Sequence, residues 1–166
     1  MSRPILDVII PGPPQGYQRP GVRVIRAKSG ATFAQHYEQG KTRSWRSVAV
    51  GIFAPEGRPL TCVVDRAVRV TIEAVGQRPK SILKREGVGR LWRRTKPDVD
   101  NVSKSVLDAL TTSGVLRDDV LVAELVARSY VAAEGEAPHV RVRVELLEAL
   151  PVVEGARARG AAGALL

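Results

Sequence analysis

The sequence predicts one small domain built from both strands and helices. Three observations carry that reading. A chain of 166 residues is the size of a single domain. Ala67–Val75 and His139–Leu147 alternate apolar and polar residues with the period of a strand, and Thr42–Phe53 and Asp100–Ser113 space their apolar residues with the period of a helix. A chain of this length buries roughly 70% of the surface its unfolded form exposes, and 44% hydrophobic residues is ordinary for a globular protein.

The elements follow in order. Ile5–Ile10 is apolar and runs into "PGPP", as a strand ending at prolines does. Val22–Arg26 and Ala31–Ala34 flank "AKSG", a turn signal, and predict a hairpin. The helix over Thr42–Phe53 has Thr42 or Ser44 as its cap, with Trp45, Val48, Ala49 and Ile52 on one face and Trp45 as a core anchor. "APEGRP" breaks the chain. In the strand Ala67–Val75, Val68, Val70, Ile72 and Ala74 face one way and Arg69, Thr71 and Glu73 the other. Gln77–Lys96 has no clean period and reads as a long basic loop, with a helical turn near Ser81–Arg85. The next helix, Asp100–Ser113, buries Val102, Val106, Ala109 and Leu110, presents Asn101, Lys104 and Asp108 on the opposite side, and stops at Gly114. Two further strands, Val120–Val131 and His139–Leu147, are joined by "AAEGEAP". The domain is expected over residues 1–148, with a low-complexity tail over 149–166.

Composition excludes several classes of protein. The single cysteine, Cys62, lies in the apolar run "LTCVV" and permits neither an intramolecular disulfide nor a cysteine zinc cage. No segment has the ~18 apolar residues of a membrane span, and the N-terminus lacks the apolar run of a secretory signal, so a cytoplasmic protein is expected. His36 and His139 sit in unremarkable contexts, and no Ser-His-Asp order stands out.

The net charge is +9 and the isoelectric point about 10.4, which points to a polyanionic partner, either nucleic acid or an acidic membrane surface. The charge is unevenly placed. Residues 77–96 carry +7, from Arg78, Lys80, Lys84, Arg85, Arg90, Arg93, Arg94 and Lys96 against Glu86. Residues 97–119 carry −3 and hold Asp98, Asp100, Asp108, Asp118 and Asp119. A loop of such cations neutralises phosphates without reading bases, so DNA binding through it is expected to be salt-dependent and guided by shape.

The acidic block suggests a metal. In an extended segment the side chains of Asp98 and Asp100 lie on one side, and a helix bracketed by acidic ends can bring Asp118 and Asp119 to the same sheet edge. Three or four carboxylates in one place repel unless a cation sits among them. All-oxygen ligands suit Mg²⁺ or Mn²⁺, and such an ion activates water against a phosphodiester. Lys104 lies one turn into the helix, within reach of a phosphate or the attacking water. Blander roles compete: Asp98 or Asp100 as a helix cap, Lys104 and Asp108 as a surface pair, Asp118 and Asp119 as turn residues.

At this stretch, "DVDNVSKSVLDALTTSGVLRDD" resembles the RusA-like Holliday junction resolvases, the crossover junction endodeoxyribonucleases of bacteria, phages and prophages. The shared pattern is Asp-x-Asp-Asn, a Lys four residues past the second Asp, Asp-Ala-Leu, a Gly, and an Asp pair leading into a strand. "IIPGPPQGYQRP" is similar to the family's first strand and Pro-Pro loop, although it lacks the usual Asn residues there, and Leu121 replaces a common Gln. The resemblance implies an α+β domain with a mixed sheet flanked by helices, working as a homodimer. It implies Mg²⁺ held by Asp98, Asp100 and Asp119 with Asp118 in support, Lys104 as catalytic lysine, and paired symmetric nicks in four-way DNA junctions during recombination and repair. Arg19 and the basic residues of 77–96 would face the DNA. A flap or general branched-DNA nuclease, and a DNA-binding protein without catalysis, are the alternatives.

Overall fold

The computed structural model describes residues 4–37, 40–54, 66–82 and 87–148. Cys62, Lys84, Arg85 and the expected tail at 149–166 lie outside them. The elements in order are β1 (Leu6–Pro11), β2 (Gly21–Arg26), β3 (Thr32–Tyr37), α1 (Gly40–Phe53), β4 (Val68–Gly76), β5 (Leu91–Trp92), α2 (Val99–Thr112), a 3-10 turn (Asp119–Leu121), β6 (Val122–Val131) and β7 (His139–Leu146). Five strands form one mixed sheet in the order β1-β7-β4-β6-β5, and β2 and β3 form a separate hairpin. The α+β class and the mixed sheet are as the family resemblance implies.

Alternation places the core. In β4, Val68, Val70, Ile72 and Ala74 are fully buried, as are Val140, Val142 and Val144 in the neighbouring β7. All of these but Ala74 join Trp45, Ala49 and Phe53 of α1 and Val106, Ala109 and Leu110 of α2 in a single core. Both helices therefore cover one face of the sheet. Burying a Val or Leu side chain in such a core contributes about 1.5–3 kcal/mol. Trp45 is a core anchor, as expected. Helix α1 begins a turn earlier than its predicted cap: Thr42 lies inside it, buried, and its hydroxyl donates to Gln18 Oε1 at 3.2 Å. Val48 is exposed because the buried stripe runs through Thr42, Trp45, Ala49 and Phe53.

Helix α2 buries the face that its periodicity predicts. It ends where Gly114 adopts φ +76°, with the Leu116 amide returning to the Leu110 carbonyl at 3.2 Å. Only a residue without a Cβ takes that backbone conformation without strain.

The opposite face of the sheet is charged and held by cross-strand pairs. Arg69 meets Glu124 at 2.8 Å. Asp7 accepts from both Arg141 (2.9 Å) and Arg143 (2.8 Å) across the β1–β7 pair. The hydrogen bond from Arg141, more than that from Arg143, holds the Asp7 carboxyl at about 2 against an ordinary value of 3.8. A carboxyl depressed by folding stabilises the native state above its unfolded value, and that contribution disappears as pH falls through its folded value. Urea unfolding of wild type should therefore show a loss of stability between about pH 4 and pH 2 that Asp7→Asn lacks, the variant being the less stable at neutral pH.

Candidate active site

The site is set by how β4 connects to β6. These two strands are neighbours and parallel, with Val68 opposite Val122 and Gly76 opposite Val131. A parallel pair needs a crossover that travels the length of the sheet. Here the crossover contains the basic loop, β5 and α2.

The chain is tied down as it approaches α2. Strand β5 pairs Leu91 with Val131 and Trp92 with Tyr130, at the end of the sheet where β4 finishes. The Arg93 side chain then packs on Gly76, where an added Cβ would lie 2.6 Å from a guanidinium nitrogen. Arg93 donates to the Lys96 carbonyl, and burial pushes its guanidinium pKa down. The Lys96–Pro97 peptide bond is cis.

Asp98 follows as the N-cap of α2, with extended φ −69° and ψ 151°. Its carbonyl accepts from the Val102 amide at 3.1 Å, but its carboxylate makes no capping bond. An N-cap aspartate ordinarily uses that carboxylate on the helix amides. Both Asp98 and Asp100 are exposed, beside the positive end of the helix dipole. Asp100 is already in the first helical turn, so the extended spacing expected of the pair does not hold through it.

A third segment completes the surroundings. The loop after β1 reaches α2, where the Tyr17 amide donates to the Asn101 carbonyl at 2.8 Å. Gly16 permits this approach, because a Cβ there would lie 2.8 Å from Pro97 Cβ and 3.3 Å from Asn101 Cβ. The Tyr17 ring lies under Lys104, whose Nζ is 4.0 Å from the ring centroid. Among the described residues Lys104 pairs with no carboxylate, so the expected surface pair with Asp108 is not formed. Tyr17 is the partner that helical spacing does not reveal. A cation over an aromatic face is held electrostatically while its N–H groups stay available. A cleft of about 380 Å³ lies between the Pro-Pro loop and the start of α1, lined among others by Gln15, Lys41 and Ser44, with no acidic residue among the described residues that line it.

The second acidic pair stands elsewhere. Asp118 caps the 3-10 turn, its Oδ1 accepting from the Val120 amide at 3.0 Å. That bond, followed by a hydrogen bond shared with Asp119, lowers its pKa. Asp118 therefore has the turn role that competes with metal binding. Asp119 opens the turn before β6, near Val122 and Val68, at the beginning of β4. Helix α2, 14 residues and about 20 Å long, separates this point from Asp98. Among the described residues no three His, Cys, Asp or Glu side chains are grouped to hold a metal ion. The expectation that all four aspartates meet at one sheet edge is not met within a single chain. The helix of a parallel crossover keeps its two ends apart.

The described cations of the basic loop, together with Arg19, fall into two kinds. Arg78 donates to the carbonyls of Gly87 (2.6 Å), Gly89 (3.2 Å) and Ala132 (3.1 Å). Arg90 grips Glu136 with Nε at 3.0 and 3.1 Å from its two oxygens. With Arg93, these residues hold the loop in place. Arg19, Lys80, Arg94 and Lys96 are exposed, and among the described residues their side chains make no ion pair or hydrogen bond.

No helix of the described residues is long and apolar enough to cross a membrane. Residues 11–145 match the family described as Endodeoxyribonuclease RusA, which spans the fold from the end of β1 into β7. No curated protein matches the chain.

Seating of the Tyr17 loop on α2 is open to test by substitution. Gly16→Ala forces a methyl group into the Pro97 ring and should lower stability to urea by about 1–3 kcal/mol. In the wild-type protein the ε-methylene protons of Lys104 should be shifted upfield by the Tyr17 ring current. That shift should vanish in Tyr17→Leu and persist in Tyr17→Phe.

Proposed function

The chain belongs to the RusA endodeoxyribonuclease family, and from that premise we propose that it is a divalent-metal-dependent endonuclease that resolves four-way DNA junctions by paired nicks as a homodimer. The observation that carries this reading is the start of α2. An N-cap aspartate leaves its carboxylate unused, a second exposed aspartate follows in the first turn, and a lysine one turn on is steadied by an aromatic ring.

The donor set suits the metal. Asp98 and Asp100 are exposed oxygen ligands, and Mg²⁺ is commonly held by one or two carboxylates with waters and substrate phosphates. When bound, Mg²⁺ or Mn²⁺ supplies Lewis acidity and an activated water for phosphodiester hydrolysis. Asp98 and Asp100 anchor and orient at the helix start. Lys104 offers its N–H groups to the phosphate whose charge grows as the bond breaks. Arg19, Lys80, Arg94 and Lys96 neutralise flanking phosphates, and their contribution falls with added salt.

One chain holds its two acidic pairs at different ends of α2, so the homodimer is more than a way of making two cuts. In this reading Asp119, with Asp118 in support, completes the Asp98–Asp100 pair of the other copy. Two-fold symmetry then makes two equivalent sites, matching the two-fold symmetry of a junction.

Asp100→Asn should lower metal-dependent nicking of an immobile four-way junction by at least about a thousandfold while junction binding persists, and EDTA should abolish nicking of wild type. Three-way and linear duplexes, assayed in parallel, should be cut more slowly than the four-way junction. A mixture discriminates the arrangement of the site. Asp100→Asn and Asp119→Asn, each inactive alone, should after subunit exchange regain roughly a quarter of wild-type nicking, because each heterodimer has one site with both pairs intact. If the pairs act within one chain, the mixture stays inactive.

A further inference from the structure

We propose that Trp92, six residues before the N-cap of α2, is a stacking platform for a nucleobase unpaired at the DNA branch. The proposal rests on the nuclease reading above and adds a base-binding subsite to it. Trp45, the other tryptophan, is 7% exposed, whereas Trp92 is 69% exposed. A large apolar ring left this open on an ordered element is a candidate contact surface.

The ring is supported from within the chain. Trp92 stacks on Tyr130 across the β5–β6 pair, with centroids 4.9 Å apart and planes 30° apart. The Arg90 guanidinium stands 5.6 Å from the Tyr130 centroid and is itself clamped by Glu136. Glu136 in turn accepts from the Ala133 amide at 2.9 Å. Trp92 is therefore presented by a braced edge, and little side-chain freedom remains to be lost when a second ring stacks on it.

Charge and position select the occupant. Beyond Trp92 the chain continues through Arg94 and Lys96, both exposed and without side-chain partners among the described residues, to Asp98. An unpaired nucleotide offers an aromatic face and a phosphate together, and an aromatic residue among cations takes both. Base-paired DNA keeps its bases stacked inside the duplex, so the platform discriminates for branched or single-stranded DNA without reading sequence. The rival occupant is a second copy of the chain seated on the same ring.

The difference in emission between wild type and Trp92→Phe reports Trp92 alone. With Asp100→Asn in both proteins to prevent cutting, a four-way junction and a single strand should quench that signal, and linear duplex of the same sequence should not. In the same background Trp92→Ala should raise the Kd for the junction about tenfold, with Trp92→Phe raising it less than about twofold. Equal quenching by linear duplex, or Trp92 emission that changes with protein concentration in the absence of DNA, overturns the platform. The second of these results assigns the ring to contact between copies. Metal-dependent nicking by wild type is measured alongside. Nicking without quenching refutes the platform alone, and quenching without nicking refutes the nuclease reading instead.

Discussion

The parallel pairing of β4 with β6 is the constraint from which the rest follows. Two neighbouring strands that run the same way cannot be joined by a tight turn, so the chain must return along the full sheet before the second can begin. The returning segment carries most of the residues proposed to act on DNA, with Tyr17 and Arg19 supplied from the loop after β1. It contains the basic loop, the Trp92 edge, the acidic start of α2 with Lys104, and the Asp118–Asp119 turn. The nine residues of β4 span about 27 Å, and α2 runs beside them. Features at the beginning and end of the crossover are held apart by that length.

This separation changes the electrostatic account of the carboxylates. Gathered in one chain, four aspartates would repel and would need a cation to be tolerated. The fold avoids that cost by placing them in two pairs, one at each end of a helix. Asp118 is satisfied locally by the Val120 amide, and Asp98 and Asp100 remain solvated. In the proposed homodimer the two pairs would meet only with a cation between them.

The arginines show a similar division of labour. A long loop without regular structure leaves backbone carbonyls to satisfy, and a guanidinium carries enough donors to satisfy several at once. Arg78 does this for Gly87, Gly89 and Ala132, while Arg93 joins Gly76 to Lys96 and so fixes the approach to α2. The strongly positive block is thus partly scaffold. Among the described cations of that block, Lys80, Arg94 and Lys96 remain exposed, the last two nearest the helix start.

Sequence alone determined the elements whose signal is local. Alternation in β4 and β7 follows from the two-residue period of a strand, and the buried face of α2 follows from its 3.6-residue period. The stop at Gly114 and the Asp-x-Asp, Lys and Asp-Asp spacing are likewise legible without any knowledge of neighbours. Strand order was not, because nothing in β6 itself says that it pairs parallel to β4. Nor were β5, the seat of Tyr17 under Lys104, or the scaffold role of Arg78, Arg90 and Arg93. Each depends on residues distant in the chain meeting in space: Gly16 with Pro97, Gly76 with Arg93, Trp92 with Tyr130. The tertiary structure decided which carboxylates stand together for the same reason. Spacing along a chain limits how near two groups can come, but only the packed path of the crossover sets how far apart they are held.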